Sequence, residues 1–217
     1  MAADNYEAIL RLLLEAAKAT SGNAAPQEPD GIPVGVSNRH LHLSQADQDI
    51  LFGTGYQMTP IKDLSQPGQF ACKETVTICG PKGAIEKVRV LGPVRSKTQV
   101  EILTGDSFKL GVSAPARQSG DLAGTPGITI VGPKGSVQTT EGLIVAQRHI
   151  HMTLQDAAAY GVHDGQVVDI VVDGPRGGTY ANVIVRANDT SALECHLDTE
   201  EANAMNVNSS TKIKIKK

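Results

Sequence analysis

From residue 31 onward, the chain consists of short strand-like runs separated by glycine and proline turn signals. Typical runs are ETVTICG, IEKVRVLG, GITIVGPKG and QVVDIVVDG. Gly-Pro-Lys-Gly or Gly-Pro-Arg-Gly recurs at residues 80–83, 132–135 and 174–177. Strands at this spacing, with only brief helical patterns between them, are typical of β-barrels or sandwiches rather than alternating βαβ folds. The sequence therefore predicts a mainly β protein.

Composition narrows the class of protein further. The 217 residues include 3% aromatic residues and no tryptophan, so the core must be built from valine, isoleucine and leucine. A net charge of -3 without a basic stripe argues against nucleic acid as a partner. No run is long and apolar enough to span a membrane. The three cysteines form no CxxC pattern and no signal peptide precedes them, which predicts a cytoplasmic protein without a disulfide framework.

The N-terminal segment differs from the rest of the chain. Residues 1–20 contain NYEAILRLLLEAAKAT, whose apolar residues recur with helical periodicity along one face. Residues 21–31 are rich in glycine, proline and small polar residues, which is typical of a linker. Because an isolated helix of about 15 residues is marginal in water, this amphipathic helix docks on its own domain, pairs with another chain or binds a partner.

One motif, Arg-His-apolar-His-apolar-Ser/Thr, occurs twice, as RHLHLS at residues 39–44 and RHIHMT at residues 148–153. Since side chains alternate along a strand, the two histidines of each copy face one way and the apolar residues face the other. Ser44 and Thr153 are N-cap residues for the short helical patterns that follow. A single copy could be a polar strand face against water, but the duplication favours a metal or catalytic site.

Each half also supplies a third candidate ligand. When the turn at Gly80 is aligned with the turn at Gly174, the strands that follow match, and with one residue of slack Glu101 falls on His196. The resulting triads are His40, His42 and Glu101, and His149, His151 and His196. Three protein ligands with an open fourth position are typical of a catalytic zinc site.

These residues resemble the phosphotransacylase family of bacterial microcompartments, the propanediol-utilisation-type phosphate propanoyltransferases, over residues 32 to about 210. The resemblance rests on PVGVSNRHLHLS, LSQPGQF, GPKG, LGPVRSKTQVEI, GTPGI, VAQRHIHM and HLDTEEAN. It implies reversible transfer of an acyl group between acyl-CoA and phosphate, with CoA as substrate or product. It also implies two divalent metal ions, usually Zn²⁺, and two β-barrel domains with short capping α-helices.

The resemblance also implies a domain organisation and a set of partners. The first barrel is expected at residues 39–146 and the second at 147–217, with the strand at 32–38 joining the second. The N-terminal helix is expected to bind shell proteins, placing a homo-oligomeric enzyme inside a bacterial microcompartment in the cytoplasm.

Further site residues follow from the resemblance alone. Arg95 matches the arginine that holds phosphate, and its planar guanidinium suits phosphate oxygens. The positions expected to contact CoA are Val36, Ser37, Asn38, Lys82, Arg89 and Asn203. We expect direct attack by phosphate, with no covalent nucleophile, because Cys72 and Cys79 have no supporting base motif.

Two other functions compete with acyl transfer. A dinuclear metal hydrolase acting on thioesters or phosphate esters would use the same triads and would release product without phosphate. A metal-binding assembly protein, with the N-terminal helix as its working part, would show no turnover with acyl-CoA.

Overall fold

The computed structural model describes residues 31–216, and within them the chain forms fifteen β-strands and four short α-helices. The first ten strands are β1 (Ile32–Ser37), β2 (His40–Ser44), β3 (Pro60–Asp63), β4 (Phe70–Cys79), β5 (Ala84–Arg95), β6 (Gln99–Ile102), β7 (Ala116–Arg117), β8 (Thr129–Val131), β9 (Ser136–Gln138) and β10 (Leu143–Ala146). The remaining strands are β11 (His149–Met152), β12 (Val167–Val172), β13 (Gly178–Ala187), β14 (Glu194–Asp198) and β15 (Lys212–Ile215). The helices are α1 (Gln45–Phe52), α2 (Asp106–Leu110), α3 (Leu154–Tyr160) and α4 (Thr199–Met205).

The strands form two sheets of different closure. One is a closed six-stranded barrel with the order β1-β14-β11-β13-β12-β15. The other is a nine-stranded half-barrel sheet with the order β7-β10-β6-β2-β5-β4-β8-β9, in which β3 pairs with β4. The predicted mainly β class is therefore confirmed, with one closed barrel and one half-barrel sheet rather than two closed barrels.

The barrel combines β1 with five strands that come much later in the sequence. β1 pairs in parallel with β14 and antiparallel with β15, although the strands of the half-barrel sheet lie between them in the sequence. Residues 31–217 belong to one compact unit. The division into domains at residues 39–146 and 147–217 stays a prediction.

Each sheet has its own aliphatic core, and the histidine strands contribute to both. Leu41 and Leu43 of β2 are buried in the half-barrel core. Ile150 and Met152 of β11 are buried in the barrel core. The alternation predicted for the two motifs is thus confirmed, because these apolar residues face inward and leave the histidines on the opposite face.

Short helices follow the histidine strands as predicted. The Ser44 side chain caps α1 by accepting from the Asp47 N–H. Thr153 and Asp156 form a reciprocal capping box at the start of α3. α3 ends at Gly161, whose φ of 70° places it in the left-handed region that favours glycine.

The helices α2 and α4 were not predicted, although α4 begins with a reciprocal capping box formed by Asp198 and Glu201. The predicted helix at residues 1–20 and the linker at 21–31, apart from residue 31 itself, lie outside the described residues. None of the helices in the described range is long and apolar enough to cross a membrane.

Candidate active site

Strand pairing brings each predicted triad together in the same way. β2 lies antiparallel to β6, with His40 opposite Glu101. β11 lies antiparallel to β14, with His149 opposite His196. The third members therefore occupy equivalent positions in the two sheets, as the internal alignment predicts. Within each triad, the candidate ligand atoms all lie within 4.8 Å of one another.

In the first triad, His40 is oriented by the backbone. Its Nδ1 lies 2.8 Å from the carbonyl oxygen of Asn38 and donates to it, because a carbonyl cannot donate. The Nε2 atom is directed at the third member of the triad, 3.4 Å from Oε2 of Glu101. A backbone contact of this kind fixes the ring tautomer and leaves the other nitrogen for a ligand.

The second triad repeats this arrangement with three imidazoles. Nδ1 of His149 lies 2.8 Å from the carbonyl oxygen of Gln147, and its Nε2 lies 3.2 Å from Nε2 of His151. The ring of His196 lies 4.8 to 5.0 Å from the other two rings. Its Nε2 is 2.6 Å from Oε2 of Glu194, a nearby carboxylate that sequence reasoning missed.

Burial keeps most of these imidazoles neutral. It lowers the pKa of His42 to about 3, with a further contribution from the charge of Arg95. It likewise lowers the pKa of His149 to about 4 and that of His151 to about 3, helped by neighbouring imidazoles. Neutral imidazole is the form that binds metal, so these histidines are in the ligating state at neutral pH.

Glu101 supplies a negative charge to the first triad. Although burial favours its neutral form, His40 and His42 hold the pKa of the Glu101 carboxyl well below its usual range. In turn, the pKa of His40 is raised by Glu101, against the opposing effect of burial. A buried carboxylate beside imidazoles is a donor set suited to a divalent cation.

Two ring nitrogens in the triads lack partners. Nδ1 of His42 and Nδ1 of His151 are buried and make no hydrogen bond within residues 31–216. Buried nitrogens without partners are rare, since desolvation without a hydrogen bond is costly. The metal fit of the donor sets rests on the ligand atoms that face one another within each triad, including the two Nε2 atoms 3.2 Å apart in the second.

The arginine that opens each motif has an anchoring contact. Arg39 donates to both carboxylate oxygens of Asp106 at 2.8 and 2.9 Å. Nε of Arg148 lies 2.7 Å from Oε1 of Glu201. Each acidic partner belongs to the helix that follows the strand of the third ligand. The two ion pairs thus tie each His-x-His strand to the element carrying the remaining ligand.

A hydrogen-bonded chain connects the first triad to Arg95. Gln99, which is 1% exposed, donates from Nε2 to Oε1 of Glu101 at 2.6 Å and to the hydroxyl of Ser119 at 2.9 Å. The same hydroxyl accepts from Nη1 of Arg95 at 2.8 Å. Oε1 of Gln99 accepts from the Gly120 N–H at 2.8 Å. Sequence reasoning missed Gln99 and Ser119, because only the tertiary fold brings residue 119 to β6.

Both triads open into one cavity of about 650 Å³. Arg95 lines it, and so do four of the six positions expected to contact CoA, namely Val36, Ser37, Asn38 and Arg89. Lys82 and Asn203 lie outside the lining. A Cβ at Gly35 would lie 2.5 Å from the carboxylate of Glu194, so a larger residue there would displace that side chain.

The buried cysteines are poor nucleophiles. Burial raises the pKa of the Cys72 thiol to about 11 and that of the Cys195 thiol to about 12. Both side chains lie in the apolar cores, and Cys195 is on the face of β14 opposite His196. Since the thiolate is the reactive form, neither residue is suited to attack an acyl group.

Known proteins similar to this chain share one description. Residues 33–208 match the family model for phosphate propanoyltransferase. The chain is 58% identical over 183 residues to a phosphate propanoyltransferase of Thermotoga maritima, covering 84% of this chain and 87% of that protein. It is 52% identical over 194 residues to one of Rhodobacter capsulatus, covering 89% and 90% respectively. A relative from Priestia megaterium is 52% identical over 200 residues, covering 92% and 91%.

Proposed function

The chain belongs to the phosphate propanoyltransferase family, and from this premise we propose that its acyltransferase activity takes place in the cavity shared by the two triads. The reaction is acyl-CoA plus phosphate to acyl phosphate plus CoA, in either direction, with propionyl-CoA or acetyl-CoA as the thioester. The observation that carries this proposal is the convergence of two metal-competent triads and Arg95 on one cavity.

We assign one divalent metal ion to each triad, with zinc as the expected ion. His40, His42 and Glu101 would hold the first, and His149, His151 and His196 would hold the second. The support is the donor chemistry: neutral imidazoles and one ionised carboxylate, with the ligand atoms of each triad within 4.8 Å of one another. Lewis acidity is what such ions supply when bound, and it favours charge on a thioester carbonyl oxygen and on a departing thiolate.

Arg95 binds the phosphate and aims it. Its guanidinium can donate two parallel hydrogen bonds to phosphate oxygens, and Ser119 restrains it from one side. A phosphate oxygen then forms a bond with the acyl carbon. The carbon–sulfur bond breaks, and its electron pair leaves on sulfur as the CoA thiolate. Fixing both reactants in one cavity removes much of the entropic cost of bringing them together.

The CoA moiety enters beside β1. Ser37 ends β1 and Asn38 follows it before β2, and both residues line the cavity. Arg89 is held by two backbone carbonyl oxygens, which accept from its Nη1 at 2.8 and 2.9 Å. Its remaining N–H groups are available for a CoA phosphate. Val36 also lines the cavity, whereas Lys82 and Asn203 remain assigned to CoA by the resemblance alone.

Transfer proceeds without an acylated residue. The thiols of Cys72 and Cys195 are buried and remain protonated at neutral pH. Phosphate is a competent nucleophile once it is desolvated and aimed, so no protein nucleophile is required.

The deciding experiment measures thiol release from acetyl-, propionyl- and butyryl-CoA with and without phosphate, with acyl phosphate trapped as its hydroxamate. We expect thiol release to require phosphate and to match hydroxamate formation. Equal thiol release without phosphate would identify a thioester hydrolase instead.

We also propose that the amphipathic segment at residues 1–20 recruits the enzyme, as a homo-oligomer, to the shell of a bacterial microcompartment. The support is its helical periodicity and the linker that follows it. A fusion of residues 1–31 to a fluorescent protein should enter shells. A diffuse fusion protein would argue against recruitment.

A further inference from the structure

Arg186 is a cavity-lining arginine to which the proposed reaction assigns no role. β13 runs parallel to β11, and Arg186 lies directly beside His151. Its side chain lines the same cavity as both triads. Among the described residues, the side chain of Arg186 makes neither a hydrogen bond nor an ion pair. A guanidinium carries five N–H donors, so this side chain is equipped to bind an acceptor from outside the protein.

The other arginines of the cavity are all held by the protein. Arg39 is paired with a carboxylate, Arg89 donates to two backbone carbonyl oxygens, and Arg95 donates to a serine hydroxyl. Arg186 is therefore the one cavity arginine in residues 31–216 without a protein acceptor. A positive charge in this setting is typical of a position that meets an anionic ligand.

The charge of Arg186 acts on Arg95, and both side chains line the cavity. Burial lowers the pKa of Arg95, and the like charge of Arg186 lowers it further, against the attraction of Glu101. The two guanidinium groups come from different sheets, since Arg95 is on β5 and Arg186 is on β13. Two positive charges that repel each other in a half-buried cavity are both stabilised when an anion binds between them.

Comparison of the two sheets shows that strand pairing does not require this arginine. The residue beside His151 is Arg186, whereas the residue beside the equivalent His42 is Leu91. The same parallel pairing therefore forms with an apolar side chain at this position. Leu91 and Arg186 both line the cavity. Arg186 therefore departs from the internal symmetry at a position that faces the site.

We propose that Arg186 is a second phosphate-binding residue, which holds inorganic phosphate together with Arg95 in the shared cavity. The inference rests on the proposed acyl transfer and adds a residue to its phosphate subsite. Inorganic phosphate has several acceptor oxygens and so can accept from two guanidinium groups at once. Two such contacts restrict its rotation and hold an oxygen ready to attack the acyl carbon.

The test compares Arg186→Gln and Arg186→Lys with Arg117→Gln. Arg117 lies outside the cavity and pairs with Asp121, so it serves as the matched control. We expect Arg186→Gln to raise the KM for phosphate about tenfold or more, the effect of losing one charge-assisted hydrogen bond, while the KM for propionyl-CoA stays within about twofold. Arg186→Lys should be intermediate. The control should match the wild type.

A second measurement does not depend on turnover. Phosphate should raise the Tm of the wild-type protein. The phosphate concentration that gives half of this increase should be higher for Arg186→Gln. Metal content should be unchanged in Arg186→Gln and Arg186→Lys. When Arg186→Gln is combined with Arg95→Gln, the loss of phosphate binding should be smaller than the two single losses predict, since both residues act on one anion.

The outcomes separate this inference from the proposed function. Thiol release that is independent of phosphate in the wild type would reject the acyl transfer itself. If the wild type requires phosphate, an Arg186→Gln defect confined to the KM for propionyl-CoA would assign Arg186 to CoA and overturn the inference. Unchanged constants for both substrates would also overturn it. If Arg186→Gln does not fold, Arg186→Lys gives the same comparison.

Discussion

Gln99 is the residue whose removal best tests the connection between the first triad and Arg95. Replacement by leucine keeps the side-chain size but removes three hydrogen bonds, to Glu101, Ser119 and Gly120. The bond to the Glu101 carboxylate is charge-assisted and contributes about 1.5–3 kcal/mol, and the other two contribute about 1 kcal/mol each. The sum predicts a loss of unfolding free energy of about 3–5 kcal/mol.

Gln48→Leu is the matched control. Gln48 is also buried, but its amide makes a single hydrogen bond, to the carbonyl oxygen of Tyr56 at 2.9 Å, and it lies outside the cavity. We expect this variant to lose about 1 kcal/mol. Urea denaturation of both variants gives the comparison. For a chain of this size the larger loss corresponds to a fall in Tm of roughly 10 °C.

Gln99→Leu should also change the chemistry, unlike the control. Without the amide, Glu101 and Ser119 lose a shared donor, so Arg95 loses its indirect connection to the first triad. We expect the KM for phosphate to rise and metal retention against a chelator to fall. If Gln99→Leu unfolds at the same urea concentration as Gln48→Leu and keeps the wild-type KM for phosphate, the reasoning from this chain of contacts is wrong.

The remaining predictions concern the metal ligands, the phosphate arginine and the N-terminal segment. His42→Ala and His151→Ala each remove one of three ligands, so metal analysis should find one ion fewer per chain, with activity lost and circular dichroism unchanged; full metal content would contradict the two-triad assignment. Arg95→Lys keeps the charge but loses the planar fork, so the KM for phosphate should rise about tenfold. A change confined to the KM for the CoA ester would reassign Arg95. Deletion of residues 1–22 should leave acyl transfer intact and abolish co-purification with shells; loss of catalysis would show that the segment docks on its own domain.

Local patterns in the sequence were enough to predict the histidine strands and their caps. The period of two places the histidines of each motif on one face and their apolar neighbours in the core, and this requires no knowledge of distant residues. Ser44 and Thr153 begin helices for an equally local reason. The helix α4 could also have been predicted, since Asp198 and Glu201 have the spacing of a capping box.

Other site residues could not be found from local patterns. Ser119 lies in a loop and meets Gln99 only because the loop folds against β6. Arg186 carries no motif, and its place beside His151 depends on a parallel pairing between distant strands. Local patterns also could not predict that one sheet closes and the other stays open, because closure depends on pairing between strands that are distant in the sequence.

The exchanged strand β1 determines when the barrel can form during synthesis. Val36 pairs with Leu197, and Ser37 donates to the carbonyl oxygen of Leu197, 160 residues later in the chain. The strands of the half-barrel sheet leave the ribosome before β14 does, so that sheet can assemble while β1 still lacks its partners. Until β14 and β15 have been synthesised, β1 presents unpaired backbone groups of the kind that chaperones shield from aggregation. A pairing of such long range also slows folding, because its loop-closure entropy must be overcome before the barrel contacts stabilise the chain.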